Sequence, residues 1–255
     1  VSDREATTVG FDTESMPNRD FLAHFEPVLP PIVIGPYHRP LMNQPMDDSY
    51  LKPYRESLAE HGTDFKVTLW ASPRAQTKRF EVLTQMCFFA GKRILDAGCG
   101  RGDFAAFLCE RHTAFERYVG VDALPDLIAF ASSRRLPGCE FHCGDFVVDP
   151  SLLSLGKPQV VCICGALNTM DEARVMMVLE AAWAAASEAL LFNFLSSRAR
   201  VVSPVHTGPA RRLDPLRLLD WAMGHTPAVS FRQDYFKTGH DATILMRKPS
   251  SGHAG

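Results

Sequence analysis

The chain has 255 residues with an ordinary globular balance, 46% hydrophobic and 22% charged, and a formal net charge of -2. That length holds one large domain with an appendage, and the near-neutral charge leaves no overall footprint for nucleic acid. No apolar run of about 18 residues exists to span a membrane, and Val1–Glu5 lack the apolar heart of a secretion leader, so a cytoplasmic protein is expected. The seven cysteines lie mostly within apolar runs and read as small buried hydrophobes rather than a disulfide framework. Cys139, His142 and Cys143 fall on one expected strand whose alternate side chains face opposite ways. No second pair completes a ligand set, so no metal is expected.

Residues 1–46 carry seven prolines and no sustained period, which predicts an extended arm. Asp47–Glu60 offers Tyr50, Leu51, Tyr54 and Leu58 to one helical face, interrupted by Pro53. A helix opens at Ser72-Pro73, with serine as N-cap and proline in the first position, and runs to near Gly91. Strands and helices then alternate: strand Arg93–Ala97, helix Asp103–Arg111, strand Tyr118–Asp122, helix Pro125–Arg135, strands Glu140–Gly144 and Gln159–Cys164, helix Asp171–Ser187, strand Ala189–Leu195. Short apolar runs separated by helices predict a parallel sheet covered on both faces. Ser196–Leu213 is then a polar stretch with His206 and four arginines, followed by a helix from an Asp214 cap through Pro215 to Gly224. The strand-like runs Ala228–Phe236 and Asp241–Arg247 flank Lys237-Thr238-Gly239-His240 and predict an antiparallel hairpin. The expected division is an arm or lid over 1–71, an α/β domain over 72–248 and a tail over 249–255.

The most informative stretch is Arg93-Ile-Leu-Asp96-Ala-Gly98-Cys99-Gly100-Arg-Gly102-Asp103-Phe104. A strand, a tight glycine turn and a helix N-terminus form a cradle for a nucleotide-like ligand, because glycine permits positive φ and close backbone approach. The spacing Gly-x-Gly-x-Gly differs from the Gly-x-Gly-x-x-Gly of dinucleotide enzymes, which places an NAD-dependent reading last. With Leu95-Asp96 in front, the stretch resembles motif I of class I S-adenosylmethionine-dependent methyltransferases. The resemblance covers about residues 72–248 and points to uncharacterised bacterial members of small-molecule type. It implies a Rossmann-like three-layer α/β sandwich with a seven-stranded, mostly parallel sheet of order 3-2-1-4-5-7-6, closed by the C-terminal hairpin.

The resemblance also implies the cofactor, S-adenosylmethionine, and its contacts. Gly98, Cys99, Gly100 and Gly102 would pass under the methionine part, with Asp96 holding the turn or reaching the cofactor amino group. Asp122, followed by Ala123, ends the second apolar strand. A carboxylate there has only acceptors to offer and suits the two donors of a ribose diol. Gly144, Asp145 and Phe146 would hold the adenine, while Gly165, Ala166 and Asn168 would lie beside the sulfonium. Arg79 is a candidate for the cofactor carboxylate as a planar bidentate donor, or else a solvated helix arginine.

No motif fixes the acceptor. The Asp/Asn-Pro-Pro-aromatic signature of amino-group methylation is absent at Gly165-Ala166-Leu167-Asn168, and Cys162 and Cys164 read as core. The catalytic candidates are Asn168 and His206, the latter in the stretch after strand five and titrating near neutrality. Asn193 reads equally as a buried structural group, Tyr235 and His240 as structural, and Trp70 and Tyr54 as lid or core. The expected function is methyl transfer to oxygen or nitrogen of a small molecule, the acceptor entering between the N-terminal segment and Ser196–Leu213. An RNA or protein methyltransferase and a non-catalytic S-adenosylmethionine-binding protein are the alternatives. No membrane partner is expected, nucleic acid is disfavoured by charge, and no oligomeric state is assigned.

Overall fold

The computed structural model describes residues 47–200 and 209–249, so the proline-rich arm and His206 lie outside the described residues. Sixteen elements begin with helix α1 (Lys52–His61), a 3-10 turn (Phe65–Thr68) and α2 (Pro73–Met86). The alternating part follows: β1 (Arg93–Ala97), α3 (Asp103–Glu110), β2 (Arg117–Asp122), α4 (Pro125–Ser133) and β3 (Cys139–Cys143). Next come β4 (Val160–Cys164), α5 (Glu172–Ala185) and β5 (Ala189–Leu195), with 3-10 turns at Pro150–Ser154 and Ala166–Thr169. The chain closes with α6 (Pro215–His225), β6 (Val229–Arg232) and β7 (Asp241–Arg247).

The strands form one sheet in the order β3-β2-β1-β4-β5-β7-β6. The first five are parallel, and β7 runs antiparallel between β5 and β6. This is the Rossmann-like methyltransferase architecture. Alternation along each strand divides the core into two layers. Leu95, Val119, Val161 and Phe192 pack with α5 and α6, while Ile94, Tyr118, Cys162 and Leu191 pack with α2 and α3. The second layer is aromatic, with Phe104 of α3 lying 5.1 Å from Phe80 and 5.6 Å from Phe89. These contacts seat α2 and α3 over β1 and fix where the glycine turn between β1 and α3 emerges.

Helix starts follow local chemistry. Ser72 accepts from the Ala75 N–H at 3.2 Å, Asp171 from Arg174 at 2.8 Å and Asp214 from Leu216 at 3.1 Å, each satisfying an otherwise orphaned donor. Pro53, which interrupts α1 on paper, sits in its first turn, where no intrahelical N–H is needed. Strand β6 is shorter than the Ala228–Phe236 reading. Arg232 turns to Asp234 at 2.8 Å and the Gln233 amide to the Gly239 carbonyl at 2.9 Å, so side chains replace the ladder there.

Gly120 of β2 links this packing to the turn. A Cβ there would come within 2.7 Å of the Phe141 ring and 2.8 Å of the Cys99 sulfur. Gly120→Val is therefore expected to cost about 1–3 kcal/mol by overpacking and to push the Cys99 turn outward. Urea unfolding reads the first effect and S-adenosylhomocysteine titration the second; wild-type values in both would show that the crowding relaxes freely.

Candidate active site

The carboxyl ends of β1–β5 open into a cavity of about 430 Å³. It is floored by the loops after the strands and covered by side chains of α1, the 67–71 segment and Pro209-Ala210. A volume of this order is that of a small-ligand site.

The turn after β1 is built as its glycines demand, with φ of 79° at Gly98, 51° at Gly100 and 70° at Gly102. Two of these glycines serve different purposes. A Cβ at Gly98 would stand 2.5 Å from the Ala166 Cβ, so Gly98 lets the β1 and β4 loops close on each other. A Cβ at Gly100 would meet nothing within 4 Å and would point into open space. Bare backbone therefore faces open space at Gly100.

Asp122 ends β2 and ties the turn down. One carboxylate oxygen accepts from the Gly100 N–H at 2.9 Å and the other from Leu124 at 3.0 Å. Burial, with Asp145 adding charge repulsion, raises its pKa against these bonds. Each oxygen keeps a lone pair beyond its backbone bond, which suits it to a vicinal diol. Ala123 beside it lines the cavity.

Asp96 sits one layer deeper, 2% exposed, and accepts a hydrogen bond from Tyr118. Burial drives its pKa up to about 7, with Asp122 and Asp103 reinforcing the shift and Tyr118 opposing it. The same carboxyl in the unfolded chain titrates at 3.8. Between those values the folded protein holds a proton that the unfolded chain has released, so stability falls as pH rises through the window. Asp103 is neutralised locally by Arg134 at 2.7 Å.

Asp145, after β3, has a partner that the sequence reading did not foresee. Tyr50 donates its hydroxyl to one oxygen, and the Val147 N–H binds the other at 2.9 Å. Tyr50 is 4% exposed and carries Arg174 over its ring, 5.0 Å from the centroid. Burial first, and then the Asp145 hydrogen bond, raises the Tyr50 pKa. Tyr54, one turn along, reaches toward the Gly165 carbonyl at 3.5 Å, and burial beside Asp122 lifts its pKa to about 12. Both phenols stay protonated and remain donors. Trp70 lies against Gly165, where an added Cβ would sit 2.5 Å from its ring. Tyr54 and Trp70 thus belong to the cover over the cavity.

Other candidates divide. Gly144 stands one residue beyond β3 and donates to the Asp122 carbonyl at 2.9 Å, while Phe146 and Asp145 line the cavity. Asn168 also lines it, yet its amide oxygen is committed to the Leu195 N–H at 2.9 Å. Asn193 is structural: fully buried, it accepts from the Gly165 N–H at 2.8 Å and holds the β4 loop from behind. Arg79 is not a solvated helix arginine. It is 5% exposed, and its guanidinium binds both oxygens of buried Asp241. It reaches the cavity wall with part of its charge already compensated. His240, read as structural, lines the cavity as well. Its proximity could not be read from the sequence, because β7 reaches β5 only through an antiparallel return across the sheet edge.

Comparison with known proteins agrees with this geometry. Residues 94–188 match a methyltransferase domain family. No curated protein matches the chain significantly. Among solved structures, a DhpI complex with SAH is 16% identical at a TM-score of 0.56, covering 80% of this chain and 96% of that one. Phosphoethanolamine N-methyltransferase 1 of Haemonchus contortus, with phosphoethanolamine and S-adenosylhomocysteine, is 16% identical at 0.60 and covers 81% and 50%. Magnesium protoporphyrin IX methyltransferase of Synechocystis with bound SAM is 14% identical at 0.57 and covers 81% and 100%. Among the described residues, no helix is long and apolar enough to cross a membrane.

The Asp96 carboxyl gives a direct test of the buried edge. Asp96→Asn is expected to gain stability relative to wild type as pH rises from about 5 to about 8, because it carries no such proton. Thermal unfolding across that range checks it; parallel profiles would mean that Asp96 does not titrate there.

Proposed function

We infer that this class I S-adenosylmethionine-dependent methyltransferase passes its methyl group to oxygen or nitrogen of a small-molecule acceptor. The observation that carries the reading is the cover: Tyr50, Tyr54 and Trp70 on one side and Pro209-Ala210 on the other bound a cavity of about 430 Å³ rather than an open groove. A polymer substrate needs a track along the surface, whereas side chains flank this cavity on both sides. Two structural neighbours carry small molecules in their names, phosphoethanolamine and magnesium protoporphyrin IX, which supports the same class of acceptor.

The residues present fit the cofactor. Gly100 offers bare backbone facing open space, Asp122 offers a spare lone pair on each oxygen, and Asp96 offers a carboxyl deep enough to pair with an ammonium group. Gly98, Cys99 and Gly102 shape the turn, and Ala123 borders the ribose acid. Gly144, Asp145 and Phe146 form the adenine end. Gly165, Ala166 and Asn168 border the reacting centre. When bound, S-adenosylmethionine supplies an electrophilic methyl group on a sulfonium.

The chain's own contribution is alignment and exclusion of water. Asp122 holds the Gly100 turn and one end of the ligand. Asn193 fixes the Gly165 loop against strand β5, and Trp70 covers that loop from above. Neither tyrosine of the cover serves as base at neutral pH, since burial keeps both protonated. They donate hydrogen bonds instead, Tyr50 to Asp145 and Tyr54 toward the Gly165 carbonyl.

Titration with S-adenosylhomocysteine tests the cofactor placement. Asp122→Ala should weaken binding by about 1.5–3 kcal/mol through the loss of charge-assisted hydrogen bonds. The unfolding curve must stay cooperative for the comparison to count. An unchanged dissociation constant in a folded variant would remove Asp122 from the site. A methyl-donor label appearing in small molecules of a metabolite extract supports the acceptor class; label confined to RNA or protein would replace it.

A further inference from the structure

The cavity has two electrically unlike halves. Along β1–β3 it carries the carboxylates of Asp96, Asp103, Asp122 and Asp145 against one cation, Arg101, an acidic excess that suits a cationic cofactor. Toward β5 and β7 its wall is formed by Trp70, Arg79, Leu195, Pro209, Ala210 and His240, with no carboxylate among them. The acid behind that wall, Asp241, is completely buried.

Arg79 is held in a fixed plane. Its guanidinium lies 4.3 Å from the Trp70 ring centroid and 4.8 Å from that of Phe236. Nε and one Nη bind the two oxygens of Asp241, and the other Nη donates to the Ala75 carbonyl at 2.8 Å. A guanidinium has five N–H groups. Three are used here, and two have no partner among the described residues. His240 packs on Phe236 with ring centroids 4.6 Å apart, meets the Thr238 hydroxyl through Nδ1 and lies 3.1 Å from Asp241 through Nε2.

The chain bordering this half adds charge of the same sign. Its described parts, 196–200 and 209–213, contain four arginines and no acid. Arg212 donates to the carbonyls of Ser196 and His240 and fastens this edge together. Arg200 and Arg211 are exposed and make no ion pair among the described residues. The Arg211 N–H binds the Asn168 carbonyl at 2.5 Å, which sets this arginine beside the cavity wall.

We propose that the β5–β7 half receives an acceptor with an apolar body and an oxyanion, carboxylate or phosphate, gripped by the two remaining N–H groups of Arg79. Arg200 and Arg211 draw such an acceptor in. Trp70, Leu195 and Pro209 receive the body. The proposal rests on the small-molecule reading above and narrows it. It also gives Arg79 a third role, beside the cofactor carboxylate and the solvated helix face between which the sequence reading leaves it open.

The test uses the full chain, and S-adenosylhomocysteine titration is read first. The protein saturated with S-adenosylhomocysteine is then titrated with benzoate, phenyl phosphate, benzamide and benzylamine. Benzoate or phenyl phosphate should bind about tenfold tighter than the neutral and cationic rings, and the better of the two names the oxyanion. Arg79→Lys keeps a charge opposite Asp241 but loses the fork. The double variant R200Q/R211Q alters only exposed positions and guards against misfolding at Arg79. Each should weaken the anion about fivefold or more while leaving S-adenosylhomocysteine binding intact. Binding of none of the four probes, or a preference for benzamide or benzylamine, overturns the proposal. So does an Arg79→Lys protein that no longer distinguishes S-adenosylhomocysteine from its decarboxylated analogue, because Arg79 then serves the cofactor. Displacement of benzoate by a single-stranded RNA oligonucleotide also overturns it, in favour of a nucleic-acid acceptor. Failure of S-adenosylhomocysteine to bind wild type would overturn the cofactor placement itself, and the proposal with it.

Discussion

Two backbone N–H groups from different loops converge on one carboxylate, and the geometry of the site hangs on that convergence. Gly100 reaches Asp122 at 2.9 Å and Leu124 reaches it at 3.0 Å, so the turn after β1 and the turn after β2 share an anchor. Backbone groups in a glycine turn have few intrinsic partners, and leaving them unpaired beneath a covered cavity would be costly. The anchor removes that cost and leaves the turn no freedom to collapse into the space it borders. Its electrostatic penalty is visible in the raised pKa of Asp122, which burial imposes and the backbone bonds only partly offset.

The same logic recurs along the edge. Asn193 holds the Gly165 N–H, the Asn168 amide holds Leu195, and Tyr118 holds Asp96. Each pair joins a strand to its neighbour or to the loop above. Within an apolar sheet core, such polar pairs fix register where hydrophobic packing alone would tolerate small slips. Gly98 completes the arrangement from the other direction: the missing Cβ allows the β1 and β4 loops to touch, which sets the width of the cavity at its centre.

What the sequence revealed and what it hid follow from separation along the chain. Strands β1, β5 and β7 were legible to the residue because their apolar runs are bounded by turn chemistry and alternate with capped helices. Gly98, Gly100 and Asp122 were legible because strand, turn and strand-end acid lie within one β-α-β unit. The partners of Asp145 and Arg79 were not. Tyr50 is 95 residues from Asp145, and Asp241 is 162 residues from Arg79. No local pattern marks such pairs, since a tyrosine on a helical face and an acid opening a strand are each ordinary. The different surroundings of Gly98 and Gly100 were hidden for a related reason. Spacing identifies which glycines need positive φ, but only the facing loop shows which one meets Ala166 and which one opens on space.

Separation of charge within the cavity bears on the chemistry it can host. Asp96, Asp122 and Asp145 line the cavity along β1–β3, with Arg101 of the glycine turn beside them, Arg79 and His240 line it toward β5–β7, and Cys164, Gly165, Ala166 and the ring of Trp70 lie between. That boundary offers little to solvate an isolated charge, and burial there drives the Cys164 thiol pKa upward. A step that combines a cation with an anion loses charge as it proceeds, whereas one with a neutral partner only moves the charge. A boundary of low polarity favours the charge-losing kind of step over one that keeps two ions apart. The separation requires the cover, because water admitted at the boundary would screen the charges on either side of it. Tyr50 and Trp70, placed over Asp145 and Gly165, are therefore as much a part of the site's electrostatics as the acids beneath them.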